Sequence, residues 1–194
     1  MGSLLATFSA ALEARDPHLR GHSARVSAFA EALADALGWK GTRVEALRLG
    51  GSLHDVGKIS LHASVLRKAG PLTDEELGQI RRHPVAGARL VGCFDDFVAA
   101  VPSVLHHHER WDGTGYPHRL EGDSIPLEAR VLGVADAFDA MTSVRPYRPA
   151  LSVTAALAEL ERCAGSQFDP WLARTFVDRC ERGQIAPALV SIAV

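Results

Sequence analysis

Cysteine is scarce in this chain. Cys93, Cys163 and Cys180 are the only three among 194 residues, odd in number, far apart and without a Cys-x-x-Cys pair. That excludes a disulfide framework and a thiolate zinc site, and points to a reducing cytoplasm. Neither sign of charge dominates: 21 Lys and Arg face 23 Asp and Glu, a formal net charge of -2. A protein that grips long nucleic acid through many phosphates needs a basic field, so that class is excluded, while a small anionic ligand is not. No apolar run reaches the roughly 20 residues of a membrane span, and the N-terminus has no secretory leader pattern, so a soluble protein without membrane contact is expected. Sustained apolar–polar alternation rich in β-branched residues is absent too, which argues against half-buried strands.

Apolar residues recur instead at helical spacing, and a hydrophobic content of 47% suffices for a substantial core. The expected fold is an all-α bundle, one domain over 1–194 with an apolar tail, 183–194, docked on it. Helices are expected over Ser3–Glu13, Gly21–Leu37, Arg43–Asp55, Thr73–Arg81, Pro84–Val91, Asp95–His107, Leu127–Met141, Val153–Cys163 and Pro170–Glu181. Thr73 and Glu76 read as a capping box, and Asp169-Pro170 as an N-cap with a first-turn proline. The intervening segments Lys58–Leu72, Trp111–Pro126 and Ser143–Pro149 are of a length more often functional than idle.

The histidines carry the chemistry. His106, His107 and His108 run directly into Glu109-Arg110-Trp111-Asp112-Gly113-Thr114-Gly115-Tyr116-Pro117. Adjacent imidazoles crowd titrations near neutrality and waste packing volume unless their nitrogens are wanted as metal ligands. Gly113 and Gly115 admit backbone conformations closed to other residues and suggest a ligand that the backbone approaches closely. His54-Asp55 closes an apolar helix; the two side chains point about 100° apart, so the pair reaches two metals only with Asp55 as a bridge. The competing reading of the dipeptide is a helix C-terminus with a favourable His and a solvated Asp. Asp136 sits among Val, Leu, Ala and Phe, where an uncompensated carboxylate is costly, and Asp139 one turn later could partner a ligand. With His22 and His83 the donors exceed what one tetrahedral zinc takes, and a mixed imidazole–carboxylate set suits two metals of the iron or manganese type. His106, His107 and His108 fan through about 200°, so all three cannot serve one centre.

In order along the chain, Gly21-His22-Ser23-Ala24-Arg25-Val26, His54-Asp55 with Gly57-Lys58, His83-Pro84, His107-His108-Glu109, Asp112-Gly113-Thr114-Gly115-Tyr116-Pro117, Ile125-Pro126-Leu127, Ala135-Asp136-Ala137-Phe138-Asp139-Ala140, Thr142-Ser143-Val144-Arg145-Pro146-Tyr147-Arg148 and Phe168-Asp169-Pro170 resemble the HD-GYP branch of the HD-domain phosphohydrolases. The motifs span about 16–177. The resemblance implies an HD-domain helical bundle with an HD-GYP extension, and a metal-dependent phosphodiesterase acting on the second messenger cyclic di-GMP. It implies a bimetal centre held by His54, Asp55, His83, His107, His108 and Asp136, with Asp55 bridging. Two departures stand out. Where relatives carry tyrosine, or glutamate in a three-metal subset, this chain has His18, so His18 and His22 are candidate ligands of a third metal. Arg119 replaces a usual glycine.

The expected reaction is hydrolysis of cyclic di-GMP to pGpG, and onward to GMP, by a metal-activated water. Asp55 and Lys58 are the expected catalytic groups; Lys58, Tyr116, Arg145, Arg148 and Asp139 are expected at the substrate. Another cyclic dinucleotide or nucleotide at the same site, and a non-catalytic nucleotide- or partner-binding domain, are the alternatives. A signalling protein docking on the Gly-Tyr-Pro loop and a homodimer are further partner options. With no receiver or sensor region in it, the chain reads as a stand-alone enzyme or an output domain.

Overall fold

The computed structural model describes residues 2–16, 19–68, 70–144 and 149–185. Among them the regular elements are helices: α1 (Gly2–Arg15), α2 (His22–Ala36), α3 (Thr42–Leu53), α4 (Ala63–Leu66), α5 (Asp74–Ile80), α6 (His83–Val91), α7 (Val101–His106), α8 (Leu127–Thr142), α9 (Val153–Arg162) and α10 (Pro170–Glu181). Extended pairing among the described residues is limited to two isolated bridges, Asp112 with Glu121 and Ala164 with Phe168. The all-α expectation holds, and the expected helix ends lie within a residue or two of most of these bounds.

Local signals explain several termini. Thr73 caps α5 in a full capping box with Glu76, and the Asp169 carboxylate accepts from the Trp171 and Leu172 amides at the start of α10. Two expectations change. The helix expected over Asp95–His107 is a 3₁₀ stretch, Asp95–Ala100, followed by α7; Pro102, in the first turn of α7, has no amide proton to bond back to that stretch. His54-Asp55 does not continue α3: His54 is its C-cap, and Asp55 (φ -94°, ψ 0°) leads into a 3₁₀ turn, Val56–Ser60.

Two apolar clusters hold the bundle. In the larger, Phe29 of α2, Phe138 of α8 and Phe176 of α10 meet edge-on, with centroids 5.1 Å apart for Phe29–Phe138 and 5.0 Å for Phe138–Phe176. The smaller joins Leu53, Val56, Val91, Phe97 and Val104 under α6 and α7. Of the expected docked tail, Gly183 and Gln184 are exposed and Ile185 is buried in the larger cluster; residues 186–194 lie outside the described residues. The candidate donors stand at the start of α2, the end of α3, the start of α6, the end of α7 and the middle of α8, so the packing of these five helices sets their separations.

Phe176→Ala removes one ring of the triad and should destabilise the fold by about 3–5 kcal/mol, read as a lower urea midpoint with a nearly unchanged m-value.

Candidate metal centre

His54 Nδ1 lies 2.8 Å from the Gly51 carbonyl, His83 Nδ1 2.7 Å from that of Ile80, and His107 Nδ1 2.9 Å from that of Val104. A carbonyl only accepts, so each Nδ1 carries the proton and each Nε2 presents a lone pair. In all three the acceptor is three residues earlier, a tether that the end of one helical turn supplies. These Nε2 atoms converge: His83 and His107 stand 3.3 Å apart, as do His54 and His22. Neighbouring donor atoms of one metal, each about 2.0–2.1 Å from it, are separated by roughly that distance.

Asp55 joins the pairs. Its Oδ1 is 3.2 Å from His83 Nε2; its Oδ2 is 3.5 Å from His54 Nε2 and 3.9 Å from His22 Nε2. One donor atom from each of Asp55, His83, His107 and His108 lies within 4.8 Å of the others, and the same is true of His22, His54 and Asp55. Asp136 Oδ1 adds to the second set, 3.4 Å from His22 Nε2 and 3.8 Å from His54 Nε2. Asp55 Oδ1 is buried without a hydrogen-bond partner. An orphaned carboxylate oxygen facing an imidazole lone pair is poor protein chemistry and good metal chemistry, so the residues present fit divalent cations.

The electrostatics agree. Burial alone would raise the Asp55 carboxyl, but Lys58 and His54 hold it well below the usual carboxylate range. Asp136 is likewise depressed, against burial, by His22 and His54. Burial pushes His107 far below its ordinary value and, only partly offset by Asp136, takes His108 to about 3. Ionised carboxylates and neutral imidazoles are the forms that ligate metals. His22 differs: burial opposes its charge, yet Asp136 and Asp139 raise it to about 9, so ligation there would release a proton.

The donors open into a cleft of about 660 Å³ whose lining includes Lys58, Arg81, Tyr116 and Arg130. Lys58 Nζ reaches Asp55 Oδ2 at 2.6 Å. Tyr116 stacks on His108, with centroids 4.8 Å apart and planes at 28°, and burial beside Asp55 and Asp136 pushes its hydroxyl pKa up, keeping it a donor. The loop around Tyr116 is pinned by Glu109, which accepts from the His118 and Leu120 amides at 2.7 and 3.1 Å. Gly115 allows a close approach, but to the chain itself: a Cβ there would lie 2.4 Å from the Arg110 nitrogen and 2.6 Å from the Glu109 Cα. The expectation that this glycine makes room for a ligand is therefore corrected. Arg119 has φ 55°, the left-handed region that explains the glycine usual at this position.

Other expectations divide. His22 Nε2 lies beside His54, Asp55 and Asp136; its expected partner in a third site, His18, lies outside the described residues, as do Arg145 and Arg148. Asp139, expected at the substrate, is fully buried. Its Oδ2 accepts from His22 Nδ1 at 2.7 Å and from Arg25 Nη2 at 3.1 Å, and its Oδ1 from Arg25 Nε at 2.6 Å, so it orients His22 and has no oxygen left for a ligand. Arg81 was missed: two residues before His83, it reads in sequence as an ordinary helix-end cation, yet its guanidinium stands 5.7 Å from the Tyr116 ring centroid at the cleft. Arg25 was quoted in a motif without a role; its side chain is nine-tenths buried on Asp139.

The HD domain family model matches residues 6–172. The chain belongs to this family. Its ordered motifs put it in the HD-GYP branch, and phosphohydrolases of the HD domain are metal-dependent. The chain is 42% identical over 168 residues to the cyclic di-GMP phosphodiesterase response regulator RpfG of Xanthomonas campestris pv. campestris, an alignment covering 86% of this chain and 44% of that protein. It is 32% identical over 167 residues to the 3'3'-cGAMP-specific phosphodiesterase 3 of Vibrio cholerae, covering 86% and 36%. The HD-domain chain thus spans less than half the length of these relatives. Among solved structures it is similar to a cyclic GMP-AMP specific phosphodiesterase of V. cholerae, with TM-score 0.70 and 20% identity, covering 97% of this chain and 49% of that one. It is also similar to an HDG"Y"P protein from Bdellovibrio bacteriovorus, with TM-score 0.67 and 22% identity, covering 84% and 52%. These likenesses show the fold.

Gly57 sets the distance between the two donor groups, because a Cβ there would lie 2.0 Å from the His83 carbonyl oxygen and 2.5 Å from the Gly87 nitrogen. Gly57→Ala should move His83 and weaken divalent metal binding by roughly 10–100-fold, in line with other changes that disturb ligand orientation. Competition with a chromophoric chelator measures it, and circular dichroism should report unchanged helix content.

Proposed function

We propose that the chain is a metal-dependent phosphodiesterase that hydrolyses cyclic di-GMP to pGpG and onward to GMP. The observation that carries the reading is the shared Asp55: two donor groups meet on one carboxylate at the floor of a cleft large enough for a dinucleotide. His83, His107 and His108 would hold one cation, His22, His54 and Asp136 the other, and Asp55 would bridge them. The mixed nitrogen and oxygen donors suit iron or manganese. Bound there, divalent metals supply Lewis-acid charge and lower the pKa of water.

The chain's own groups do the rest. Lys58 and Arg81 bring positive charge to the cleft and can hold nonbridging phosphate oxygens, the first as a point charge and the second as a planar fork. Tyr116, protonated and stacked on His108, donates to a phosphate or sugar oxygen. Asp139 keeps His22 in the tautomer that frees Nε2. Arg145 and Arg148 are proposed as further phosphate or guanine contacts from the motif they belong to. Thr114, exposed at the loop tip, is the part of this segment open to a signalling protein. The free cysteines, Cys93 exposed and Cys163 and Cys180 buried, suit a reducing cytoplasm.

A second substrate reading, a cyclic GMP-AMP dinucleotide, is favoured by relatives named for that specificity. Turnover assays on both dinucleotides with manganese or ferrous iron separate the two: rapid cleavage of cyclic GMP-AMP with cyclic di-GMP untouched would overturn the first. Chelation should abolish activity and metal restore it. Asp55→Ala should fall to background turnover and retain a helical spectrum; an active Asp55→Ala variant would remove the bridging role.

A further inference from the structure

The described residues hold another group of metal donors that shares nothing with the Asp55 cluster. His106, at the end of α7, Glu109, three residues on, and His118, in the loop after Tyr116, each offer one donor atom within 4.8 Å of the other two. His106 Nδ1 is buried without a hydrogen-bond partner, and the nearest carboxylate oxygen, Glu109 Oε1, is 3.6 Å away, beyond hydrogen-bonding reach. The His106 and His118 rings are 5.3 Å apart between centroids. An unsatisfied buried ring nitrogen is unfavourable, and the carboxylate and second imidazole grouped with it name what would satisfy it.

Two nitrogen donors and one carboxylate are an established zinc set, three protein ligands with a fourth position for solvent. Donors about 2.0–2.1 Å from a tetrahedral zinc stand roughly 3.4 Å apart, so the group must tighten. His118 is exposed and free to rotate inward. Glu109 Oε1 already accepts from the His118 amide, but a carboxylate oxygen has a second lone pair to give.

We propose that His106, Glu109 and His118 form an accessory site for a zinc-like transition-metal dication, which clamps the Gly-Tyr-Pro loop to the end of α7. The clamp joins the helix end that presents His107 and His108 to the loop that presents Tyr116. Metal occupancy there stiffens the cleft wall without supplying a donor to the Asp55 cluster.

The test is zinc titration of the full chain and of His118→Ala, with metal content measured after gel filtration and amide hydrogen exchange followed over residues 113–120. The native chain should carry one zinc equivalent more than His118→Ala, and zinc should slow exchange in the loop of the native chain alone. Asp55→Ala, which disrupts the other donor groups, should keep the His118-dependent equivalent, so this site stands or falls separately from the proposed phosphodiesterase centre. Equal metal content and equal exchange in the native chain and His118→Ala would overturn it.

Discussion

Everything at the centre of this protein depends on burying one carboxylate. Asp55 is 3% exposed, ionised, and satisfied on Oδ2 by Lys58 while Oδ1 has no protein donor. Leaving a buried charge half-paired costs several kcal/mol. The surroundings do not relieve it, since His83 turns a lone pair toward Oδ1. The arrangement is consistent with a fold that spends stability on a cation site, and the fold's geometry follows from that: α3 must end at Leu53, a 3₁₀ turn must follow, and Gly57 must be bare for α6 to come near enough.

The second layer is made of acceptors. Gly51, Ile80 and Val104 carbonyls, left open where helical turns end, take the Nδ1 protons of His54, His83 and His107. Asp139 does the same for His22 and is itself neutralised by Arg25. Helix ends therefore serve twice, placing each ring and choosing its tautomer. The Phe29–Phe138–Phe176 packing fixes α2 against α8, which decides how far His22 stands from Asp136.

Much of this was legible from residue types. Helical periodicity, the Thr73–Glu76 box and the Asp169 cap are local, and local signals survive folding. The candidate donors could be named from residue types as well, because adjacent histidines and an aspartate in an apolar helix are costly without a partner, and the structure clusters most of them. Asp139 was read both as the partner of a ligand and as a substrate group, and its contact with His22 fits the first: a carboxylate one turn from a ligand looks alike whether it faces the cleft or the core. Arg81 left no signal, since an arginine near a helix end is ordinary until Tyr116 is seen beside it. Gly115 was read as room for a ligand when it is room for the Glu109–Arg110 backbone.

The amino-acid order by itself determined the all-helical character and the set of nitrogen and oxygen donors, because spacing and side-chain chemistry do not depend on what packs where. Only the tertiary structure decided how those donors divide around Asp55. His22 and Asp139 are 117 residues apart along the chain and 2.7 Å apart in space, and that approach is set by α2 crossing α8. The assignment of His106 to Glu109 and His118, away from its neighbours His107 and His108, has the same origin: consecutive side chains diverge at a helix end, and the loop that returns beside them chooses the partner.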